Sequence, residues 1–245
     1  MPKIIYLAFI LAMLAGCKEN NSDVQSIVDQ AILTAGSDFD KVAIEFSFRD
    51  KEYGAKFQNG RFEYVRLFKD STLLYHDMLT NETFTRKING EEIQVPDSMA
   101  SKYSNSINSV IYFALLPKGL NDAAVNKEYI GTTVIHEKEY HKIRITFNED
   151  GGGEDFQDKF IYWIDTETHA IDYIAYQYYT DGGGFRFRKA YNIRAVDGIK
   201  FVDYINYKPT NREATKLEDL DSDFIKGNLE ELSRIELKNI QVQRL

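Results

Sequence analysis

Residues 41–68 read KVAIEFSFRDKEYGAKFQNGRFEYVRLF, and this stretch decides the fold. Val42, Ile44, Phe46 and Phe48 alternate with Ala43, Glu45, Ser47 and Arg49. A period of two is the mark of a strand with one buried face. Lys51–Phe57 and Arg61–Phe68 form the next pair of strands. Asn59-Gly60 between them offers two residues that accept φ > 0, as a type I′ turn requires. Thr83–Ile88 and Glu91–Val95 repeat the device around Asn89-Gly90. The region reads as an antiparallel meander.

Upstream, Asp23–Ala35 is expected to be a helix, with Ser22 as N-cap and Gly36 as the C′ glycine. Its apolar stripe is Val24, Ile27, Val28, Ala31 and Ile32, and its polar face lacks the basic residues of a membrane-surface helix. Downstream, Pro96-Asp97 opens a second helix, capped by Asp97. Its stripe runs through Met99, Tyr103, Ile107, Val110, Ile111 and Ala114, and Pro117 and Gly119 end it. Strands are expected near 128–136, 140–148, 159–165, 170–180, 185–196, 199–208 and 231–243, and 210–227 reads as an acidic loop with a short helix. The fold class is mainly β with a few helices. Strands twist by roughly 20–25° each, so a sheet of about 10–11 strands must curl. We expect one domain, residues 23–245: a strongly curved antiparallel half-barrel with helices packed in or across its concave face.

Composition agrees. Among 245 residues there are 16 Tyr, 16 Phe and only four Pro, a bias toward strands. With 43% hydrophobic and 28% charged residues, the chain is not disordered as a whole. A net charge of −8 supplies no field for nucleic acid or an anionic lipid surface.

At the N-terminus, Lys3 precedes the apolar run Ile4–Leu14, too short for a span of about 20 residues but suited to a secretory signal. It ends in Leu14-Ala15-Gly16-Cys17, which resembles the bacterial lipobox. The resemblance implies cleavage after residue 16, diacylglycerol on the Cys17 sulfur and an acyl chain such as palmitate on its amino group. Residues 17–22 would be the lipidated tether. Cys17 is the only cysteine, so no disulfide forms within the chain. Lys18 rather than Asp follows it, which resembles outer-membrane sorting, on the periplasmic face or the cell surface.

Signals for catalysis are sparse. His136 and His141 are five residues apart with strands on both sides, whereas the zinc motif H-E-x-x-H needs a spacing of four on a helix. Asp150-Gly151-Gly152-Gly153-Glu154-Asp155 and Asp181-Gly182-Gly183-Gly184 precede no helix and match no phosphate or calcium loop. There is no G-x-S-x-G elbow. We expect no enzyme, no metal and no cofactor.

The aromatic strands say more. Phe185, Phe187, Tyr191 and Ile193 share one face of a strand whose other face carries Arg186, Arg188, Asn192 and Arg194. Ile199, Phe201, Ile205 and Tyr207 share a face of the next. Ile161 with Trp163, and Ile171 with Tyr173, add two more. We expect these to line the concave side. They then serve as packed core, or as the wall of an apolar cavity; the ligand-contacting residues in the second case are Trp163, Tyr173, Phe185, Phe187, Tyr191, Phe201 and Ile205.

Four phrases carry a family resemblance: Lys159-Phe160-Ile161-Tyr162-Trp163-Ile164-Asp165, Ile171-Asp172-Tyr173-Ile174-Ala175, Phe185-Arg186-Phe187-Arg188, and Asp197-Gly198-Ile199-Lys200-Phe201-Val202-Asp203-Tyr204. The chain resembles a family of secreted lipoproteins with a domain of unknown function. Their half-barrel is similar to that of the outer-membrane lipoprotein carriers and receptors. The resemblance implies the fold and, through the Cys17 anchor, the receptor kind rather than a soluble shuttle. It implies no established activity. The expectation is an anchored module holding an acyl chain or another apolar ligand. The alternative is a non-catalytic envelope lipoprotein that binds a protein partner.

Overall fold

The computed structural model describes residues 21–36 and 39–245. The signal segment, the lipobox Leu14–Cys17 and the tether to residue 20 lie outside the described residues. Helix α1 spans Asn21–Gly36, two residues earlier than the capping argument placed it. A meander follows: β1 (Val42–Phe48), β2 (Lys51–Gln58), β3 (Arg61–Asp70), β4 (Leu73–Thr80), β5 (Phe84–Ile88) and β6 (Glu91–Ile93). The expected turns form. Asn59 and Gly60 adopt φ of 53° and 74°, and Asn89 and Gly90 adopt 51° and 90°.

Strand β4 escaped the sequence reading because its pattern is inverted at one place. Leu73 and Leu74 are exposed, while Asp77 is fully buried. Arg66 on β3 and Arg86 on β5 stand opposite Asp77 on either side. Arg66 donates to Asp77 Oδ2 through Nε (3.0 Å) and Nη2 (2.6 Å), and Arg86 Nε donates to Oδ1 at 2.5 Å. A charge that looks like a solvent position is therefore the centre of a buried ionic ladder.

Helix α2 (Asp97–Ala114) crosses the same face of this sheet, burying Ile107, Ile111 and Ala114. Asp97 is its first helical residue, not its cap; Pro96 holds the cap position without a side-chain bond. The second sheet contains β7 (Val125–Ile135), β8 (Lys138–Phe147), β9 (Lys159–Asp165), β10 (Ile171–Tyr178), β11 (Gly184–Val196), β12 (Ile199–Pro209) and β13 (Leu229–Ile235). Between β12 and β13 lies the short helix α3 (Leu220–Ile225).

The expected last strand is two. β13 pairs with β12, then the chain turns at Glu236, and β14 (Leu237–Arg244) pairs with β1. The orders are β14-β1-β2-β3-β4-β5-β6 and β13-β12-β11-β10-β9-β8-β7, antiparallel throughout. One broken strand thus links two seven-stranded sheets into an open, curved half-barrel. Helices α1 and α2 pack on its inner side: α1 places Val24, Val28 and Ala31 on Ile143, Tyr162 and Ile174, and α2 places Ile107 and Ile111 on Ile44 and Tyr53.

Candidate functional site

Helix α2 divides the hollow. On one side lies a cleft of about 750 Å³, walled by Phe39, Phe57, Phe62 and Tyr64. On the other lies a cleft of about 530 Å³ between α2, the glycine-rich loop and strands β10–β11. Asn108, Tyr112, Phe147 and Gly152 line both, so the two meet at the tip of the loop. A smaller cavity of about 160 Å³ lies deeper and shares Ser109, Phe113 and Arg188 with the second cleft. The two larger volumes fall in the range of about 300–1,000 Å³ usual for ligand sites.

The loop is held against the helix. Asn105 Nδ2 donates to Glu154 Oε2 at 2.6 Å. Gly152 packs so closely that a Cβ would meet Asn148 O at 2.1 Å and Phe156 Cβ at 2.8 Å. Gly152 is therefore a packing requirement beside the hollow.

The walls are aromatic and the few polar groups are conspicuous. Tyr112 and Tyr162 share a hydrogen bond of 2.8 Å between their hydroxyls, and burial pushes both phenols well above their ordinary value. Burial alone, slightly opposed by Arg188, pushes Tyr204 up to about 12. Lys118 lies 4.1 Å over the Phe57 ring; burial lowers its ammonium and Asp122 partly offsets this. Burial likewise raises Asp122, with Lys118 and Lys127 opposing. Arg188 stacks 3.7 Å over Phe113, and its Nη2 donates to Tyr176 Oη at 2.9 Å.

The sequence-expected residues lie elsewhere. Trp163, Tyr173 and Phe187 are brought together, but on the back of the sheet, sealed under Leu217, Leu220 and Phe224. Trp163 Nε1 donates to Asp221 Oδ2 at 3.2 Å in that core. Phe185 packs at its margin. Phe201 is buried with Ile107 and Ile111 of α2. Tyr191 donates to Glu236 Oε1 at 2.9 Å, and Ile205 is half-buried outside the three cores. None of the seven lines the three cavities around α2.

The reason is parity. Strand β9 is buried on both faces from Phe160 to Asp165, so alternation cannot tell front from back. Phe160 and Tyr162 face the helices, while Ile161 and Trp163 face α3. On β11 it is Arg186 and Arg188, set aside as the polar face, that line the hollow. The alternation of Phe185 and Phe187 with Arg186 and Arg188 carries no sign that the arginine face is the inner one.

His136 occupies the β7–β8 turn with φ 48°, its ring 5.7 Å from Phe224, while His141 sits on β8 beside Tyr129. Among the described residues no group of three or more His, Cys, Asp or Glu is arranged to hold a metal ion. No described helix is long and apolar enough to cross a membrane.

A family of unknown function, DUF6503, matches residues 3–237. The chain belongs to that family. Among solved structures, the DUF6503 chain is similar to a LolA superfamily protein from Nitrosomonas europaea, with a TM-score of 0.50 at 12% identity over 91% of this chain and 94% of that one. A DUF1329 family protein from Desulfovibrio piger aligns with a TM-score of 0.45 at 11% identity, over 89% and 92%. No curated protein matches the sequence. At 12% identity the likeness to the LolA superfamily protein is one of fold: the open half-barrel with helices on its inner face.

Proposed function

We propose that the protein is an exported lipoprotein, anchored to the outer membrane through lipid on Cys17, that holds an apolar ligand with an acyl chain in the hollow of its half-barrel. The observation that carries this reading is the pair of aromatic-walled clefts, about 750 and 530 Å³, meeting beside Phe147 under α2. A helix packed tightly across the sheet would leave no such space, because protein interiors close to crystal-like density. The lipobox and Lys18 support the location, and the half-barrel supports the role only as a shape suited to it.

The test is native mass spectrometry on the chain from residue 17 with Cys17→Ser, purified without denaturant. An adduct that extracts into organic solvent and proves to be a lipid supports the reading. A clean mass, unchanged after incubation with an envelope lipid extract, defeats it and favours the partner-binding alternative. The surface for that alternative would include exposed Leu67, Leu73 and Leu74 on β3 and β4.

A further inference from the structure

Three arginines are buried among the described residues, and they are not equivalent. Arg66 and Arg86 share the carboxylate of Asp77. Arg188 is 7% exposed and has no carboxylate within salt-bridge reach among the described residues. Among the described residues its only hydrogen bond is the one to Tyr176, and its Nε and Nη1 have no partner. Asn206, opposite on β12, does not close the gap, since its own Oδ1 is also unpartnered. A guanidinium stays charged at every relevant pH and carries five donors. Burying it with one neutral acceptor and two ring faces is costly unless something else completes it.

Its position says what is missing. Arg188 lines both the cleft of about 530 Å³ and the deeper cavity of about 160 Å³. Arg186 precedes it by two residues, lines the same cleft, and bonds only to the Phe185 carbonyl beside the Tyr178 ring. Acids are present on the loop side of the cleft. Glu154 is engaged by Asn105, Asp158 accepts the Tyr179 N–H, and Asp155 lies beside them. Among the described residues neither Glu154 nor Asp158 pairs with Arg186 or Arg188. Past Phe147 the space opens into the aromatic cleft of about 750 Å³.

We propose that Arg188, assisted by Arg186, binds the anionic headgroup of an amphiphile, a carboxylate or a phosphate, whose acyl chain runs past Phe147 into the aromatic cleft. This rests on the acyl-ligand reading above and adds the charge of the ligand to it. An anionic group supplies both the opposite charge and the acceptors that Arg188 lacks, and charge-assisted bonds are the strong ones.

The test uses the chain from residue 17 with Cys17→Ser, which contains every described element. Four probes share one chain length: oleate, oleyl phosphate, oleyl alcohol and oleylamine, each read by displacement of a neutral fluorescent lipid. The expected result is that one or both anions bind about tenfold or more tighter than the alcohol, and the amine weakest. Arg188→Gln should erase that preference while leaving alcohol binding within about twofold. Preference for oleate alone assigns a fatty-acid carboxylate, and preference for oleyl phosphate assigns a phosphate headgroup. Equal binding of acids and alcohol, or a preference that survives Arg188→Gln, overturns the headgroup assignment and leaves the acyl reading standing. Failure of every probe to bind defeats both. If Arg188→Gln does not fold, Arg186→Gln replaces it: a preference reduced severalfold supports the site, and an unchanged one counts against it.

Discussion

Asp203 Oδ1 accepts the backbone N–H of Leu237 at 3.0 Å, 34 positions along the chain, and this bond fixes the corner where one sheet becomes the other. The same carboxylate takes Arg194 Nη2 at 2.9 Å and Asn192 Nδ2 at 2.6 Å, and Arg194 also reaches the Leu237 carbonyl. Asp203 is 2% exposed, so removing it strands a cation and a backbone donor. Asp203→Ala should cost about 3–5 kcal/mol. Asp203→Asn, which keeps an acceptor for Leu237, should cost less. Urea denaturation of both variants checks the order.

The buried ladder Arg66–Asp77–Arg86 ties the first sheet to α2, since Arg66 Nη1 donates to Ser106 Oγ at 2.9 Å and Arg86 stacks 3.7 Å over Tyr103. Asp77→Ala should destabilise by about 3 kcal/mol or more, because two guanidinium groups then lose their only carboxylate. Replacing all three residues with apolar ones of like volume should recover much of that loss. Guanidinium titrations of the single and triple variants distinguish an ionic ladder from a mere packing position.

Asp158 makes stability depend on pH. Burial and then the charge of Asp155 push its carboxyl from 3.8 up to about 6, against the Tyr179 N–H, which lowers it. The folded state therefore holds a proton that the unfolded state has released, and the penalty for ionising it grows as pH rises from about 4 to 6. Asp158→Asn keeps the acceptor and removes the penalty. Its Tm should exceed the parent's at pH 7.5, and the difference should vanish below about pH 4. A gain that is the same at both pH values would show the cause to be something other than ionisation.

Gly152→Ala should prise the loop from α2, since its Cβ would collide with a backbone carbonyl rather than a side chain that can rotate. We expect a loss of about 2 kcal/mol and faster release of a bound fluorescent fatty acid. Stopped-flow displacement reads the second effect apart from the first.

The two aromatic sets should respond in opposite ways. Phe147→Ala, at the junction of the clefts, should weaken fatty-acid binding severalfold. Trp163→Phe should leave binding unchanged and lower stability by about 1–2 kcal/mol through the lost bond to Asp221. Trp163 is the only tryptophan and is fully buried behind the sheet. Its emission should therefore report unfolding and stay constant when ligand enters.

Much of the architecture was legible because its signals are local. Asn59-Gly60 and Asn89-Gly90 specify their turns through backbone conformation alone, and the α2 stripe needs only the helical period. The hollow was not legible because its residues are chosen by tertiary parity. Trp163 and Tyr162 are neighbours on a strand covered on both sides, and only the placement of α1 and α3 decides which of them looks inward. Bulges between Ile171 and Tyr173 and between Tyr191 and Arg194 shift the alternation again. Strand β4 failed for a different reason: Asp77 is a core residue only because Arg66 and Arg86 flank it, and neither is near it in sequence.

The break at Glu236 also sets a timetable for maturation. Strand β1 is among the first parts of the fold to leave the ribosome, yet its partner β14 is the last strand, and Asn239 donates to Ser47 across 192 positions. Until β14 arrives, β1 presents an unpaired edge rich in Val, Ile and Phe, the kind that templates aggregation. Contacts this remote slow folding, because the loop must close before they repay it. A chain with this seam cannot complete its first sheet until residues 237–244 are available to pair with β1.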